Sequence, residues 1–465
     1  MRVIRFDNKG WRARFDDGFD EENVSRVADA FGYIWADAHP DATILVGYDT
    51  RFNGRRFAGI VAGVLASYGL RAVVSDVACP TPALGWNVAQ ANDVVGAVML
   101  TASGASCEFG GITARAADGG PIADEFYEAA AQIMPPLPVT ALGAFEYRDL
   151  VTPYVEHLRA CVDVNAIANA APHLVVDPMH GATRGVLADL LRSMGCRVHE
   201  THGDFQPDFG GLHPVPTEPW VDVCEQAVLA YGCDAGLALD GDGDRLGLVN
   251  EEGRFVTPHR MVPLIMEHLV EDRGERGRIV ATFSSSAYIR RQAERLGCEF
   301  TIVPMGFSRI YREFVEGDVL LGAEERGGVC LPRHLVERDG LLSALLLVEH
   351  MATRGQGVKE LVAEFEANVG EMHYIDRSIR LDAASIQAFR NVLPGLNIRK
   401  VCNMEPISIQ HSDGLLLRFE DDSWVQLRPS RTEPLVRAIA EAPDAALAQR
   451  IAEECCQKAL QHLPA

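Results

Sequence analysis

One arrangement occurs three times along this chain of 465 residues, and it limits the possible fold more than any other feature. An apolar run, a polar turn, a helix-like segment, a glycine and a second apolar run follow one another in a fixed order. The first copy is ILVGYDTR (44–51), a helical stretch at 57–68, Gly69 and RAVVSD (71–76). The second is LVVDPMHGA (174–182), 184–194, Gly195 and CRVHE (196–200). The third is IVATFSSS (279–286), 287–296, Gly297 and CEFTIV (298–303). A glycine just past the last apolar helical residue is a helix stop. Continuous apolar strands alternating with helices predict α/β domains whose sheets are covered on both faces.

Each copy is followed by a further apolar run that ends in an unusual polar loop: VVGAVMLTASGAS (94–106), CDAGLALDGDGDR (233–245) and DVLLGAEERGGV (318–329). Ligands of such folds gather beyond strand ends, so three equivalent loops predict one shared site; ordinary surface turns are the alternative. After about residue 370 the pattern changes. HYIDRSIRL (373–381), PISIQ (406–410), LLLRFED (415–421) and SWVQLRPS (423–430) alternate like antiparallel strands, with helices expected near 383–393 and 444–462. The expected architecture is three similar α/β domains with mixed sheets covered by helices, and a smaller C-terminal α+β domain, around a central cleft. The boundaries are placed at 1–148, 149–250, 251–368 and 369–465.

Composition narrows the partners. With 43 Lys plus Arg against 65 Asp plus Glu the net charge is −22, which argues against nucleic acid. Only Lys9, Lys359, Lys400 and Lys458 are lysines, so any anion site must draw mainly on arginine. Eleven scattered cysteines without a C-x-x-C pattern read as reduced thiols of a cytoplasmic protein. The strand-like start and a longest weakly apolar stretch of 14 residues (57–70) predict neither a signal segment nor a membrane span.

The loops carry the chemistry. In DGDGDR (240–245), Asp240, Asp242 and Asp244 alternate with glycines, and three hard oxygen donors on a short loop suit Mg²⁺. A calcium loop would also have the acid at its twelfth position, Glu251, but requires glycine where Arg245 stands and a helix where the strand AGLALD precedes; a solvated turn is the third reading. Ser103 in TASGAS ends an apolar strand in a small-residue turn, where it is either a reactive hydroxyl or an ordinary turn residue. Arg428, Ser430, Thr432 and Arg437 surround a proline-fixed turn and suit a phosphate, or form an exposed basic turn. Glu324 and Glu325 in GAEERGG are carboxylates able to accept hydrogen bonds from sugar hydroxyls.

Together, and in this order, the four loops resemble those of the alpha-D-phosphohexomutase superfamily: the phosphoglucomutases, phosphomannomutases and phosphoglucosamine mutases. GWRA (10–13), VGYDTR (46–51), PTPAL (80–84), VVDPMHGA (175–182), GGLHPVP (210–216) and ERDG (337–340) resemble further landmarks of the family, over nearly the whole chain. The resemblance implies a phosphosugar mutase, an intramolecular phosphotransferase. It would interconvert hexose 1-phosphate and hexose 6-phosphate, of glucose or mannose, through a phosphoserine and a hexose 1,6-bisphosphate intermediate. It implies Ser103 as phosphoryl carrier, with Asp240, Asp242 and Asp244 joining it around one Mg²⁺. Arg12 and Arg245 would lie near the phosphoserine, Glu324 against the sugar hydroxyls, and Arg428, Ser430, Thr432 and Arg437 on the non-reacting phosphate. Monomer and homodimer both fit the resemblance.

The site departs from the family pattern in several places. Gly104, Ala105 and Ser106 replace the His, Asn and Pro usual after the serine; Ala323 and Arg326 replace a Gly and a Ser; Arg431 replaces a Gly; Ser308 stands where a Lys is usual. The missing His and Lys are candidate proton-transfer and charge-stabilising groups, typically worth about 10²–10⁴ in rate. Lys9, placed where the family has Asp, is expected to restore part of that charge with Arg309 or Arg326; a solvated lysine is the alternative. Arg326 and Arg431 would narrow the cleft or recognise another acidic group. A catalytically silent or altered-specificity sugar-phosphate-binding homologue is therefore the competing reading.

Overall fold

The computed structural model describes residues 4–7, 9–315, 317–430 and 434–462. Three successive mixed sheets carry the repeat, and their strand order is the same. The first apolar strand of each copy is central: Thr43–Tyr48, His173–Asp177 and Arg278–Thr282. Its second strand lies parallel on one side, as Arg71–Ser75, Arg197–Glu200 and Phe300–Val303. The loop-bearing strand lies parallel on the other, as Val94–Leu100, Ala235–Leu239 and Val319–Ala323. Helices Gly54–Ser67, Val186–Ser193 and Ala287–Arg295 make the crossovers, and the glycines after them adopt positive φ.

The periodicity did not reveal the return strands. Phe109–Arg115, Leu246–Asn250 and Val329–Cys330 run back antiparallel to the loop-bearing strands, so each polar loop is the tip of a hairpin. Two of these sheets gain an outer antiparallel strand. Trp11–Arg14 pairs with Phe109–Arg115 and brings Arg12 opposite Gly111, while Phe255–Val256 extends the second sheet beyond residue 250.

One apolar core runs through the three sheets, from Leu45 and Met99 through Val176 and Leu237 to Ile279, Leu321 and Leu345. The other face of the first sheet is closed by the helix Glu21–Ala38. That helix starts at Asp20, whose carboxylate accepts from Asn23 N, and Glu21 and Glu22 favour the positive end of its dipole. It buries Val27, Phe31 and Trp35 against Ile44, Val61 and Ile112.

The C-terminal unit is the expected smaller α+β domain. Its five strands pair antiparallel in the order His373–Arg380, Leu435–Ala442, Trp424–Pro429, Leu415–Arg418 and Ser408–Gln410, with helices Ala383–Val392 and Ala445–Leu460. Along Trp424–Pro429 the period-two alternation is explicit. Val425 and Leu427 enter the domain's own core, while Trp424 turns to Phe283 of the third domain. Glu441, fully buried, completes that junction: it accepts from Trp424 Nε1 at 2.8 Å, from Ala287 N at 2.7 Å and from the Ser286 hydroxyl. A carboxylate thus meets the N-terminus of the helix Ala287–Arg295, where the helix dipole favours it.

All eleven cysteines are free. Among the described residues, no helix is long and apolar enough to cross a membrane.

Because Glu441 pairs with Trp424 across the same two strands that carry Arg428 opposite Arg437, the junction also sets the position of the two arginines. Glu441→Ala leaves buried donors unsatisfied, at about 1–3 kcal/mol each. We expect a lowered thermal unfolding midpoint and faster proteolysis between the third and fourth domains. An unchanged midpoint would show that the contact does not hold the domains together.

Candidate active site

The first hairpin tip presents Ser103. At its base Thr101 Oγ1 donates to Asp49 Oδ2 at 2.7 Å and accepts from Ser103 N at 2.8 Å. Ser103 itself has φ +50°, a left-handed conformation that costs an L residue roughly 1–2 kcal/mol. Arg51 holds the turn in that state. Its guanidinium donates to the carbonyls of Ser103, Ala105 (2.7 Å), Ser106 (2.7 Å) and Phe109 (3.1 Å), its Nε pairs with Asp49 at 3.0 Å, and it lies over the Phe209 ring. The Ser103 hydroxyl is directed at the second hairpin tip, donating to Asp240 Oδ2 at 3.1 Å and accepting from Arg245.

Gly104 follows from close packing. A Cβ there would lie 2.6 Å from Val215 Cγ2 and 3.3 Å from both Pro214 O and an Arg245 nitrogen. In this chain the GGLHPVP segment occupies the space a histidine at 104 would need.

Asp240, Asp242 and Asp244 are all buried, and each offers an oxygen within 4.8 Å of the others. Asp240 Oδ1 accepts from Asp244 N (2.9 Å) and Arg245 N (3.2 Å), which folds the loop back on itself. Asp242 Oδ2 accepts from Thr81 Oγ1 at 2.7 Å, but its Oδ1 is buried without a hydrogen-bond partner. An orphaned carboxylate oxygen beside two more hard oxygen donors is the donor set a Mg²⁺ ion takes. Burial and the neighbouring carboxylates push Asp240 well above the usual carboxylate range. Burial acts the same way on Asp244, but Arg338 and Arg245 outweigh it and hold that carboxyl low.

Arg338 joins the second and third hairpin tips. It reaches Asp244 Oδ2 at 2.6 Å, Glu324 Oε2 at 2.8 Å and Glu337 Oε1 at 3.1 Å, and lies over the ring of Phe307. Glu337 in turn pairs with Arg115 of the first sheet, both almost fully buried. Burial opposes ionisation of Glu324, yet Arg338, Lys9 and Arg245 keep it below the ordinary glutamate range. Lys9 retains contact with solvent but is hemmed in by protein. That desolvation lowers its ammonium, Glu324 opposes the shift, and Arg338, Arg12 and Arg245 add to it.

A cavity of about 470 Å³ lies among these loops, within the range of small-molecule sites. Its described lining has seven cationic side chains, Lys9, Arg12, Arg245, Arg326, Arg338, Arg428 and Arg437, against the acids Asp7, Glu324 and Glu325. Lys9, Arg12, Arg245 and Arg338 also line an inner recess that reaches Ser103, Asp242 and Asp244. Arg428 and Arg437 are directly opposed on neighbouring antiparallel strands. Like charges so placed repel. Asp413 at 3.2 Å from Arg428, and Asp376 on Arg437, offset part of that repulsion, and an anion in the cavity would offset more.

The structure therefore brings together Ser103, Lys9, Arg12, Asp240, Asp242, Asp244, Arg245, Glu324, Arg326, Arg428 and Arg437. Ser430 is the residue after the strand Trp424–Pro429; its carbonyl accepts from Arg390. Thr432 and Arg431 lie outside the described residues. Arg309 is exposed on the helix Phe307–Val315 and is absent from the described lining of either cavity, so of the two arginines expected to support Lys9 only Arg326 is placed to do so. Ser308 lines the inner recess. Arg338 and Arg51 were not singled out from the sequence. Their only signal was membership of ERDG and VGYDTR, since apart from Asp49 and Glu337 their partners lie far away in the chain.

The sequence matches the four domain families of phosphoglucomutase/phosphomannomutase: alpha/beta/alpha domain I over residues 3–135, domain II over 152–253, domain III over 257–368, and the C-terminal domain over 395–458. A phosphoglucomutase/phosphomannomutase of Thermococcus kodakarensis is 28% identical over 451 residues, covering 94% of each chain. A phosphoglucosamine mutase of a Parafrankia species is 31% identical over 430 residues, covering 88% of this chain and 84% of the relative. A crystal structure of a protein from Thermus thermophilus assigned as a phosphomannomutase superposes with a TM-score of 0.88 at 32% identity, covering 98% of this chain and 99% of that one. With all four domain families present in order, the chain belongs to the phosphoglucomutase/phosphomannomutase family of alpha-D-phosphohexomutases, which are intramolecular phosphotransferases of the isomerase class.

Proposed function

We propose that this phosphohexomutase interconverts the 1- and 6-phosphates of glucose or mannose through a phosphoryl group carried on Ser103 and a bisphosphorylated sugar. The observation that carries the reading is the juxtaposition of a strained, buried serine hydroxyl with three buried carboxylates in a recess that opens into a cation-lined cavity. Free thiols fit the cytoplasmic setting of such an enzyme.

In this mechanism the bond between the Ser103 oxygen and phosphorus breaks as one forms to a sugar hydroxyl oxygen, whose proton is released. The bisphosphate then turns over and returns its other phosphoryl group to Ser103. Arg245, already at the Ser103 oxygen, and Arg12 stabilise the charge spread over the transferring group. Mg²⁺ held by Asp240, Asp242, Asp244 and the Ser103 oxygen would add Lewis-acid neutralisation of that charge. Glu324, kept ionised, accepts hydrogen bonds from sugar hydroxyls. Arg428 and Arg437, with Ser430 and Thr432, bind the phosphate that is not reacting, and Arg326 of the sugar loop lines the same cavity as the two arginines. Binding energy at that remote phosphate aligns the sugar at Ser103. Lys9 supplies cationic charge beside Glu324.

A panel of glucose, mannose and glucosamine phosphates, assayed with Mg²⁺ and hexose 1,6-bisphosphate, tests the reading. Turnover of glucose or mannose phosphate, abolished in Ser103→Ala, is expected. Preference for the glucosamine phosphates would reassign the sugar, and binding without turnover of any member would favour a silent binder.

Two substitutions test the compensated site. Lys9→Met should lower kcat by about 10²–10³, the usual loss on removing one charge-stabilising group; unchanged turnover would leave Lys9 a solvated bystander. Gly104→His, which restores the family's usual residue, should depress kcat/KM because Val215 and Arg245 occupy the space it needs. A gain in activity would show that the packing around 104 yields readily.

A further inference from the structure

A second cluster of metal-ligating side chains lies outside the cleft, where the first three domains meet. His157 and Cys161 are four residues apart at the end of the helix Thr152–Ala160, so they share one helix face. His334 faces them from the segment between Val329–Cys330 and the helix Gly340–Arg354. His157 Nε2 lies 2.9 Å from His334 Nδ1 and 3.4 Å from Cys161 Sγ, and the three ligand atoms are all within 4.8 Å of one another. Tetrahedral Zn²⁺, with bonds of about 2.0–2.1 Å to nitrogen and about 2.3 Å to sulfur, needs separations of about 3.3 Å between nitrogens and about 3.6 Å from nitrogen to sulfur. The two separations at His157 reach those spacings after movements of a few tenths of an ångström, and His334 Nδ1 and Cys161 Sγ, within 4.8 Å of each other, close the triangle.

The surroundings hold the two imidazoles in place. The remaining nitrogen of His334, Nε2, lies 2.8 Å from Asp339 Oδ2, and that same oxygen accepts from Tyr154 OH at 2.8 Å. A carboxylate behind an imidazole fixes the tautomer that leaves Nδ1 free to bind a metal, and raises its basicity. Trp86, on the helix Thr81–Gln90, stacks on His157 with ring centroids 5.0 Å apart and fixes that ring as well. The charges balance: a thiolate and Asp339 together neutralise a divalent ion, and the thiol proton is released on binding.

We propose that His157, Cys161 and His334 form a binding site for a borderline-soft divalent cation of the Zn²⁺ class, with its fourth position open to water. The site is separate from the hard oxygen set of Asp240, Asp242 and Asp244. It would tie the helix Thr152–Ala160 to the segment that leads into Arg338.

Co²⁺ titrated into the reduced, full-length protein in excess Mg²⁺ tests this. One equivalent should produce a sulfur-to-cobalt charge-transfer band and the strong visible bands of four-coordinate cobalt. Cys161→Ser should abolish the charge-transfer band, His157→Gln should weaken the visible bands, and Asp339→Asn should lower the affinity by about 10–100-fold. Circular dichroism of each variant separates loss of the site from loss of the fold. Absence of the charge-transfer band in the wild-type protein would overturn the proposal. So would its survival in Cys161→Ser with loss in Cys233→Ser, which would place the metal on another cluster with a cysteine among the described residues, His173, His199 and Cys233.

Discussion

The cleft depends on an alternating network of buried charges. Asp240, Asp242 and Asp244 crowd a single loop, and a lone buried carboxylate costs several kcal/mol. Arg245 and Arg338 offset that cost. Arg338 also reaches Glu324 and Glu337, and Glu337 pairs with Arg115, so charges from the first three domains form one connected set. Each member is tolerable because its neighbours are present. Removing one leaves another charged and unpaired, which makes the network a strong constraint on how the three hairpin tips can be arranged.

The cavity shows the opposite imbalance. A chain with a net charge of −22 lines this cavity with more cations than acids, and it does so almost wholly with arginine. Arg428 and Arg437 face one another across two strands, an arrangement that repels unless an anion or a carboxylate lies nearby. Their register follows from Trp424 and Glu441 further along the same strands, so the packing of the third domain against the fourth sets where the two arginines stand. The acidic exterior discourages polyanions while the local positive field favours a small one.

Much of this was legible in the sequence, for identifiable reasons. The repeat was visible because parallel strands are continuously apolar and their crossovers end in glycine. The loops were visible because Asp240, Asp242 and Asp244 alternate with glycine at a strand end. The return strands were not, since Val329–Cys330 is two residues long and Leu246–Asn250 reads as a continuation of the loop. Arg51 and Arg338 were missed as site residues because the contacts that place them in the site reach partners distant in the chain, Arg51 to carbonyl groups that no side-chain pattern records. The left-handed backbone at Ser103 and the crowding at Gly104 are likewise properties of packing. Arg309, expected to add its charge to that of Lys9, is exposed because the helix Phe307–Val315 buries Phe307 and Ile310 instead.

The proposed reaction turns on a phosphoryl group carried by Ser103, passed to a sugar and recovered from it. Intact-mass and peptide analysis of the native protein, before and after incubation with a hexose monophosphate, tests it most directly. One phosphoryl group is expected on Ser103, discharged by the sugar phosphate and restored by hexose 1,6-bisphosphate. An unphosphorylated Ser103 that hexose 1,6-bisphosphate cannot charge, or a stable phosphoserine that no sugar phosphate discharges, would contradict it.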